Sequence, residues 1–288
     1  MKKKILIFGG TGMMGSMLTS YLLKSGYDIT ITSRKQIYTP SVKVIVFDAE
    51  NQNIPDITEF DWIVNCIGII KQRNLSDYKR YYQINSMFPW KLLNKVNLNN
   101  KKLIHISSDC IFDGILDGNE SYNVYDIPTA TDDYGYSKAL GEPEGCVVLR
   151  TSIIGPSKSD SLGLFEWFRN NKEEIIYGYK HFWSGVTTLE LSKVIEKILT
   201  NNYYPSRDTK NVYQVSLNEN IFKMTLLYYI NEIYNLKKTI SNKIAENPSH
   251  EITNRGLKNN LNELCNIQVK DIKIQLQELK EWEINEKN

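Results

Sequence analysis

A glycine-rich turn near the start of the chain constrains the possible fold more than any other feature of the sequence. Gly9, Gly12 and Gly15 follow the apolar segment Lys4–Phe8, whose lack of alternation predicts a strand buried on both faces. A helix is predicted directly after the turn. Glycine at such a junction permits a tight turn and lets a pyrophosphate approach the N–H groups of the helix N-terminus. The spacing is GxxGxxG instead of GxGxxG, and a purely structural turn is the alternative, but the position favours dinucleotide binding.

The end of the second predicted strand indicates which dinucleotide would bind. Asp28–Thr32 is followed by Ser33, Arg34 and Lys35, with no acidic residue at the strand end. An acid there would bind the 2′-hydroxyl of NAD, whereas Arg beside a hydroxyl accommodates the 2′-phosphate of NADP. A solvated basic turn is the alternative, but the placement favours NADP(H). Further residues predicted to border the cofactor are Met13, Met14, Asp48, Cys66, Ile67 and Gly68. Met13 and Met14 could equally fill the core at the start of the helix. Asp48 could equally be a helix cap or a turn residue.

Strands and helices alternate through the first half of the chain. Further strands are predicted over Val42–Phe47, Trp62–Gly68, Lys102–Ser108 and Cys146–Thr151. A long amphipathic helix is predicted before the fifth strand, and Pro89 should kink it or begin a second segment. This alternation is typical of α/β proteins with a doubly wound parallel sheet of the Rossmann type.

The second half of the chain has a looser pattern, rich in helices and aromatic residues. The predicted elements are helices at Leu164–Phe168, Thr188–Leu199, Ile221–Tyr234 and Asp271–Trp282, and a strand at Tyr213–Ser216. They indicate a smaller cap over the ligand edge of the sheet. The predicted domains are an NADP-binding domain over 1–155, to which 186–216 returns, and a substrate-binding cap over 156–185 and 217–288.

Tyr134 and Lys138 are predicted to lie on one face of a helix, because they are four residues apart. A lysine charge one turn away favours the phenolate and would make the phenol a better proton donor near neutral pH. Ser108 ends a predicted strand, at the sheet edge where open α/β folds bind ligands. The loop from Ser108 to Tyr134 is predicted to be a substrate flap. The alternative for Tyr134 and Lys138 is an ordinary exposed pair on a surface helix. The alternative for Ser108 is a turn residue at the end of a strand.

Several other polar or aromatic residues have structural interpretations. His105 lies in an apolar strand, so a satisfied core histidine is favoured over a catalytic one. Asn85 stands on a largely apolar helix and is interpreted first as a buried hydrogen-bonding residue and second as a support for the active site. The aromatic residues Tyr179, Phe182 and Trp183 are predicted to pack under the cap, with contact to a nucleotide as the alternative.

Composition argues against several classes of function. Charged residues make up 24% of the chain and the formal net charge is +2, so nothing indicates binding to nucleic acid or to a membrane surface. No apolar stretch approaches the length of a membrane span. Four cysteines are scattered without a CxxC or metal-ligand spacing, which predicts free thiols, no metal site and a cytoplasmic location.

The order and spacing of the glycine turn, Ser108 and the Tyr134/Lys138 pair resemble those of extended short-chain dehydrogenases/reductases. Longer runs are similar to the dTDP-4-dehydrorhamnose reductase group: Ile106–Gly114, Tyr134–Glu142 and Leu149–Gly155. Two later runs look like the branch that acts on UDP-linked 2-acetamido-2,6-dideoxy sugars: Gly178–Lys180 and Ser184–Leu191. The resemblance covers most of the chain and weakens after about residue 216.

This resemblance implies an NADPH-dependent reductase of a nucleotide-linked 4-keto-6-deoxy sugar, with UDP favoured as the nucleotide. Ser108 would hydrogen-bond the C4 carbonyl, Tyr134 would donate the proton, and Lys138 would orient the nicotinamide ribose and lower the pKa of Tyr134. The family usually carries Thr in the position of Ser108, which preserves the hydroxyl. Related reductases are often dimers, so a homodimer is a further expectation.

Cys110 lies two residues after Ser108, where rhamnose reductases carry Tyr. The related GDP-fucose synthase has a cysteine at this spacing that acts as acid/base for epimerisation, and the plant epimerase-reductases for UDP-rhamnose have a similar Cys-Ile-Phe run. The resemblance supports the hypothesis that Cys110 removes a proton from C3 beside the ketone. Lys172 and His181 are candidates for the second acid by proximity in sequence alone. A small buried filler is the alternative for Cys110.

Other functions fit parts of the same pattern. One is a dTDP-4-dehydrorhamnose reductase proper, and another is a C4-epimerase or 4,6-dehydratase that recycles tightly held NAD. The basic turn at Arg34 argues against the epimerase and the dehydratase. A dehydratase also needs an Asp-Glu pair after the catalytic hydroxyl, and here Asp109 follows Ser108 but no Glu comes next. The regulatory subunit of methionine adenosyltransferase resembles the same group and binds NADP without reducing a sugar. The complete set of Ser108, Tyr134 and Lys138 favours catalysis over that role.

Overall fold

The computed structural model describes residues 2–73, 77–157, 162–173, 175–177, 181–204, 206, 211–241, 253–265 and 267–286. Gly178, Tyr179 and Lys180, which form one of the two runs similar to the UDP-sugar branch, lie outside these residues. Within the described ranges, no helix is both long enough and apolar enough to cross a membrane.

A parallel sheet of seven strands forms the centre of the molecule. The strands in chain order are β1 (Lys4–Phe8), β2 (Asp28–Ser33), β3 (Lys43–Val46), β4 (Trp62–Asn65), β5 (Lys102–Ile106), β6 (Val147–Arg150), β7 (Ile153–Ile154), β8 (Ile175–Tyr177), β9 (Phe182–Trp183), β10 (Val186–Thr187), β11 (Asn211–Gln214), β12 (Ile221–Phe222) and β13 (Thr239–Ser241). Across the central sheet the order is β3-β2-β1-β4-β5-β6-β11. This arrangement confirms the predicted doubly wound α/β fold. The remaining strands form three pairs, β7 with β10, β8 with β13 and β9 with β12.

Helices cover both faces of the sheet. They are α1 (Met13–Lys24), α2 (Lys79–Tyr81), α3 (Phe88–Leu98), α4 (Asp133–Leu140), α5 (Leu164–Asn170), α6 (Thr188–Thr200), α7 (Lys223–Tyr234), α8 (Asn262–Cys265) and α9 (Ile272–Asn285). A π-helical segment, Tyr82–Met87, joins α2 to α3, and Asp109–Ile111 forms a short 3-10 turn after β5.

Alternation along β1 shows how the sheet divides the core. Successive side chains of a strand point to opposite faces, so Ile7 packs in one apolar cluster with Leu18 of α1. Phe8 packs in a second cluster with Leu92 of α3. All four residues are fully buried. The carboxyl ends of the strands are therefore held in a fixed plane between two packed layers.

The structure differs from the predicted elements in several details. The strands predicted over Trp62–Gly68 and Lys102–Ser108 end earlier, at Asn65 and Ile106. The helix expected over Ile221–Tyr234 begins at Lys223, because Ile221–Phe222 pairs with Phe182–Trp183 as a short antiparallel strand pair. The predicted strand at Tyr213–Ser216 lies two residues earlier, at Asn211–Gln214. The long helix before β5 is interrupted by the π-helical segment, and the proline stands in the first turn of α3, as expected for a second segment.

The predicted substrate flap is fastened to a late segment of the chain. Asn254 N donates to Gly114 O at 2.8 Å, and Tyr122 N donates to Gly256 O at 2.7 Å. Lys258 N returns a bond to Tyr122 O at 2.9 Å. These contacts join the loop after β5 to the region assigned to the cap, while β11 joins β6 in the central sheet. The domain boundaries themselves stay a prediction.

Candidate active site

Ser108 lies two residues after the end of β5, not in the strand as predicted, and it is the N-cap of the 3-10 turn. Its backbone is extended, and its Oγ accepts a hydrogen bond from Cys110 N at 3.1 Å, so the serine caps the turn. The Oγ also donates to Asp109 Oδ1 at 3.1 Å. Because Ser108 is buried apart from 8% of its surface, its hydroxyl position is set by the fold.

Helix α4 begins at a conventional N-cap. Asp132 has an extended backbone, and its Oδ1 accepts from Gly135 N at 2.8 Å. Asp132 Oδ2 also receives the ammonium of Lys71 at 2.7 Å. This cap fixes the first turn of α4, which carries Tyr134.

Two glycines allow α4 to pack directly on neighbouring backbone. A Cβ on Gly135 would lie 2.1 Å from Cys110 O, and a Cβ on Gly141 would lie 1.7 Å from Asn85 O. Both distances are far below van der Waals contact, so any larger residue would push α4 away. The helix is thus pressed against the 3-10 turn at one end and against the π-helical segment at the other.

This packing brings Tyr134 to Ser108. The phenol oxygen of Tyr134 donates to Ser108 Oγ over 3.5 Å, a long hydrogen bond. Tyr81 packs edge-on against the Tyr134 ring, with 6.2 Å between centroids. Burial raises the pKa of Tyr134 well above its usual value. The predicted lowering of this pKa by Lys138 is therefore wrong, because desolvation of the phenolate dominates.

Lys138 is buried on the same helix, with 5% of its surface exposed. Its Nζ donates to Ile106 O at 2.8 Å, near the end of β5. Burial lowers its pKa to about 8, although the charge of Glu142 opposes that shift. A Cβ built on Gly68 would lie 4.0 Å from Lys138 Nζ, so the loop after β4 borders the ammonium.

The glycine turn has one packed side and one open side. Gly9 has a φ of +78°, and a Cβ on Gly15 would lie 2.2 Å from Gly9 O, so these glycines are needed for the turn and for helix packing. Around Gly12 the nearest atom to such a Cβ is 3.5 Å away, and no side chain caps the helix there. The open N-terminus of α1 fits a pyrophosphate.

The loops after β1 and β4 lie side by side. A Cβ on Gly9 would lie 3.0 Å from the Ile67 side chain, and Ile67 N donates to Asn65 Oδ1 at 3.0 Å. Cys66 N donates to Phe8 O at 3.0 Å, and burial raises the pKa of the Cys66 thiol to about 12. Of the two methionines, Met14 is buried in the core, whereas the sulfur of Met13 faces Gly163 at the start of α5.

The end of β2 adjoins the glycine turn. Gly9 N donates to Thr32 Oγ1 at 3.0 Å, a contact that the sequence pattern did not predict. Ser33 is buried and its Oγ accepts from Lys35 N at 3.3 Å. Arg34 and Lys35 are exposed, and neither forms an ion pair with any residue that the structure describes.

Asp48 serves as a turn residue after β3. Its Oδ1 accepts from Glu50 N at 3.0 Å, and its own N donates to Gln52 Oε1 at 2.7 Å. Asn51 Nδ2 donates to Asp48 Oδ2 at 3.5 Å and closes the same turn. The turn interpretation is thus confirmed. A role at the adenine stays a prediction.

Cys110 is partly buried beside this centre. Burial and the charge of Asp109 raise the pKa of its thiol to about 12, which disfavours the thiolate at neutral pH. The positive charges of Arg255 and Lys223 lower the pKa of this thiol and so oppose the shift. Of the two second acids suggested by sequence, Lys172 is exposed, and His181 Nδ1 accepts from Thr253 N at 3.0 Å.

The buried polar residues near the centre are structural. Asn85 Oδ1 accepts from Ile69 N at 2.8 Å and its Nδ2 donates to Ser137 Oγ at 3.1 Å, which confirms the buried hydrogen-bonding role. His105 is fully buried and its Nδ1 pairs with Asn65 Nδ2 at 3.0 Å. Its Nε2 has no partner among the described residues, so the expectation of a fully satisfied histidine is wrong at that atom.

Two aromatic residues near the predicted cap pack against neighbouring side chains. Phe182 packs on Phe222 with 4.5 Å between ring centroids, and buried Trp183 donates to Ser152 Oγ at 3.0 Å, so both pack as predicted. Among the described residues, no group of three or more His, Cys, Asp or Glu side chains could hold a metal ion.

The doubly wound sheet, the open glycine turn and the serine–tyrosine–lysine set define the class of extended short-chain dehydrogenases/reductases. In this set Ser108 and Lys138 are buried and Tyr134 is partly buried. The family model for the RmlD substrate binding domain matches residues 2–258. The chain belongs to this family, which confirms the resemblance found in the sequence.

Solved structures of similar fold cover nearly the whole chain. A dTDP-4-dehydrorhamnose reductase from Bacillus anthracis in complex with NADP is 19% identical, with a TM-score of 0.78, over 98% of this chain and 100% of that one. A dTDP-4-dehydrorhamnose reductase from Clostridium acetobutylicum is 18% identical, with a TM-score of 0.74, over 98% and 99%. A UDP-N-acetylglucosamine 4-epimerase from Methanobrevibacter ruminantium, in complex with UDP-N-acetylmuramic acid, is 16% identical, with a TM-score of 0.77, over 99% of each chain. No curated protein sequence matches this chain.

Proposed function

We propose that this protein is an NADP(H)-dependent oxidoreductase that reduces the C4 ketone of a nucleotide-linked 4-keto-6-deoxy sugar. The observation that carries the proposal is the meeting of Ser108 and Tyr134, 3.5 Å apart, on the same sheet edge as buried Lys138 and the open glycine turn. Two hydroxyls at that separation can both reach one carbonyl oxygen. Membership of the RmlD substrate-binding domain family supports the same activity.

In the proposed mechanism, the glycine turn and Lys138 would hold NADPH, which would supply the hydride for C4. Ser108 donates a hydrogen bond to the ketone oxygen and holds it beside the phenol. Tyr134 gives its proton to that oxygen as negative charge develops there. Its raised pKa keeps the phenol protonated before the reaction. Lys138 contributes a positive charge one helical turn away and would bind the ribose next to the nicotinamide.

The choice of NADP over NAD rests on the end of β2. Arg34 and Lys35 are exposed there without ion-pair partners among the described residues, and Ser33 supplies a hydroxyl. Such a set suits a 2′-phosphate. The relative from Bacillus anthracis was solved with NADP.

UDP is the nucleotide that we favour, with dTDP as the alternative. The preference depends on the runs at Gly178–Lys180 and Ser184–Leu191, which look like those of reductases for UDP-linked 2-acetamido sugars. Ser184 lies beside the late segment that fastens the flap, since its Oγ accepts from Leu257 N at 2.9 Å. One structural relative was solved with UDP-N-acetylmuramic acid and others are dTDP-4-dehydrorhamnose reductases.

Epimerisation at C3 is a second candidate activity. Cys110 favours it by position, because its N–H bonds Ser108 Oγ at 3.1 Å and its side chain lies close enough to Tyr134 to affect the phenol electrostatically. Its raised pKa opposes the role. Deuterium uptake at C3 without NADPH would support it, and the absence of uptake, or uptake unchanged in Cys110→Ala, would exclude it.

The primary test is NADPH oxidation with UDP- and dTDP-linked 4-keto-6-deoxy sugars, with Tyr134→Phe as the inactive control. A reductase oxidises NADPH only with a keto sugar present and yields a 4-hydroxy product. A regulatory subunit would bind NADPH without oxidising it. Binding of NADPH with no turnover across both nucleotide series would therefore contradict the proposal.

A further inference from the structure

A buried ion pair lies directly behind the candidate active site. Glu142, just after the end of α4, receives Arg150 of β6 in a two-pronged contact, with Nε to Oε1 at 2.9 Å and Nη2 to Oε2 at 2.7 Å. The side chains are 1% and 0% exposed. Neither residue is part of the proposed proton-transfer chemistry.

The pair also holds the segment that joins β5 to Ser108. Ser107 Oγ donates to Glu142 Oε1 at 2.7 Å, and Ser107 N donates to Leu149 O at 2.8 Å. Ser107 precedes Ser108, so the end of β5 is tied to the C-terminal end of α4. That helix carries Tyr134 and Lys138.

Arg150 extends the same connection to the flap. Its Nη1 donates to Val124 O at 3.1 Å, and its guanidinium lies 5.6 Å from the centre of the Phe112 ring. Phe112 in turn stacks flat on Tyr122, with 4.0 Å between centroids and 4° between planes. One ion pair therefore touches β5, α4, β6 and the flap.

A buried ion pair of this kind is a weak contribution to stability. Desolvation of both charges offsets most of their attraction, and apolar residues of similar volume are often as stable. The pair does fix the relative orientation of its two side chains, because a planar guanidinium and a carboxylate fit together in one geometry. A role in positioning the site accounts for this arrangement better than a role in stability.

We propose that Glu142 and Arg150 are positioning residues that hold Ser108 and the flap in register with Tyr134 and Lys138. The proposal rests on the proposed reductase function for its kinetic consequence. Its structural consequence, a loss of order in residues 107–131 when the pair is broken, does not depend on the substrate. The ion pair acts on Ser108 through Ser107, which donates to Glu142 and directly precedes Ser108 in the chain.

The test uses Ser107→Ala, Glu142→Gln and the apolar double variant Glu142→Leu with Arg150→Met in the full-length protein. We expect Ser107→Ala to keep the melting temperature and the NADPH affinity and to lose about 10- to 100-fold in kcat. The double variant should fold and lose kcat by a similar factor. Ser192→Ala is the matched control, since its buried Oγ bonds Thr188 O within α6, at 2.8 Å.

Hydrogen–deuterium exchange separates this proposal from the reductase assignment. We expect faster exchange in peptides covering residues 107–131 for all three variants and unchanged exchange there for the control. Wild-type kcat in Ser107→Ala and in the double variant, or unchanged exchange in those peptides, would overturn the proposal. If the wild-type protein reduces no keto sugar, the reductase function fails while the exchange result still decides this inference.

Discussion

The hydroxyl oxygens of Ser108 and Tyr134 lie 3.5 Å apart, although 26 positions separate the residues in the chain. Neither local sequence nor one element brings them together. The contact depends on Gly135, which lets α4 pack on Cys110 O. Because a carbonyl oxygen can bond both hydroxyls at that separation, this distance links the packing of α4 to the proposed chemistry.

Tyr134→Phe is expected to remove the proton donor and leave the fold unchanged. The lost hydroxyl makes one long hydrogen bond, so the melting temperature should stay within a few degrees, whereas kcat should fall by about 10²- to 10⁴-fold. NADPH oxidation and thermal unfolding measure the two effects. Tyr136→Phe, on the exposed side of the same helix, is the control and should keep wild-type kcat. Equal losses in the two variants would contradict the assignment.

The rate of sugar reduction is expected to fall as the pH rises above about 8. The pKa of Lys138 is lowered to about 8 by burial, so the ammonium loses its proton in that range and its charge no longer assists Tyr134. The measurement is a pH profile of kcat at saturating NADPH. Lys138→Arg stays charged and should show no fall near pH 8. A wild-type profile that is flat from pH 7 to about pH 9 would exclude this role.

Lys138→Met is expected to stabilise the protein while abolishing reduction. The folded-state pKa near 8 lies below the unfolded value of 10.5, so the unfolded chain binds more protons between these values. Lys138 therefore lowers stability below pH 8, by about 3 kcal/mol, and this penalty disappears as the pH rises toward 10.5. Chemical unfolding at pH 7 and pH 10 should show the gain for Lys138→Met only at the lower pH. An equal gain at both values would mean that burial of the ammonium is not its cause.

Gly141→Ala is expected to destabilise the protein by about 1–3 kcal/mol, because its methyl group would overlap Asn85 O. Gly12→Ala is the contrasting variant, since the nearest atom to its methyl group is 3.5 Å away. It should keep the free energy of unfolding and weaken NADPH binding. Urea unfolding and NADPH titration test both variants. A larger stability loss in Gly12→Ala than in Gly141→Ala would show that close packing at Gly141 does not limit stability.

Arg34→Glu is expected to reduce NADPH affinity by about 10- to 100-fold and to favour NADH, because the substitution removes the cation proposed for the 2′-phosphate and repels it. The side chain is exposed, so the melting temperature should not change. Titration with both cofactors measures the preference, and an unchanged ratio of the two affinities would rule out this role for Arg34. Lys43→Gln, an exposed lysine at the start of β3, is the control and should keep the wild-type preference.

Much of the fold follows from the sequence for physical reasons, and so does the choice of candidate site residues. Short apolar strands alternating with helices require a parallel sheet, and strand ends then place Ser108 and the glycine turn at one edge. The four-residue spacing of Tyr134 and Lys138 places them on one helix face. These are local patterns, and local patterns can be recognised in one chain.

The parts that the sequence did not reveal depend on contacts between distant segments. The raised pKa of Tyr134 reflects how deeply α4 is pressed into its neighbours, which no helix pattern contains. The role of Gly141 depends on a backbone oxygen of the π-helical segment. Likewise, Ile221–Phe222 forms a strand because Phe182–Trp183 lies beside it, although its own sequence continues a helical pattern.

The outermost strand next to β6 is β11, and a long stretch of chain passes between them, from Arg150 to Asn211. During synthesis, the edge of β6 that later pairs with β11 therefore stays without a partner strand until that later stretch has left the ribosome. An unpaired edge strand attracts other strands. Newly made chains of this protein should thus need chaperone protection longest in this interval, and premature termination within it should give aggregates instead of a soluble half-molecule.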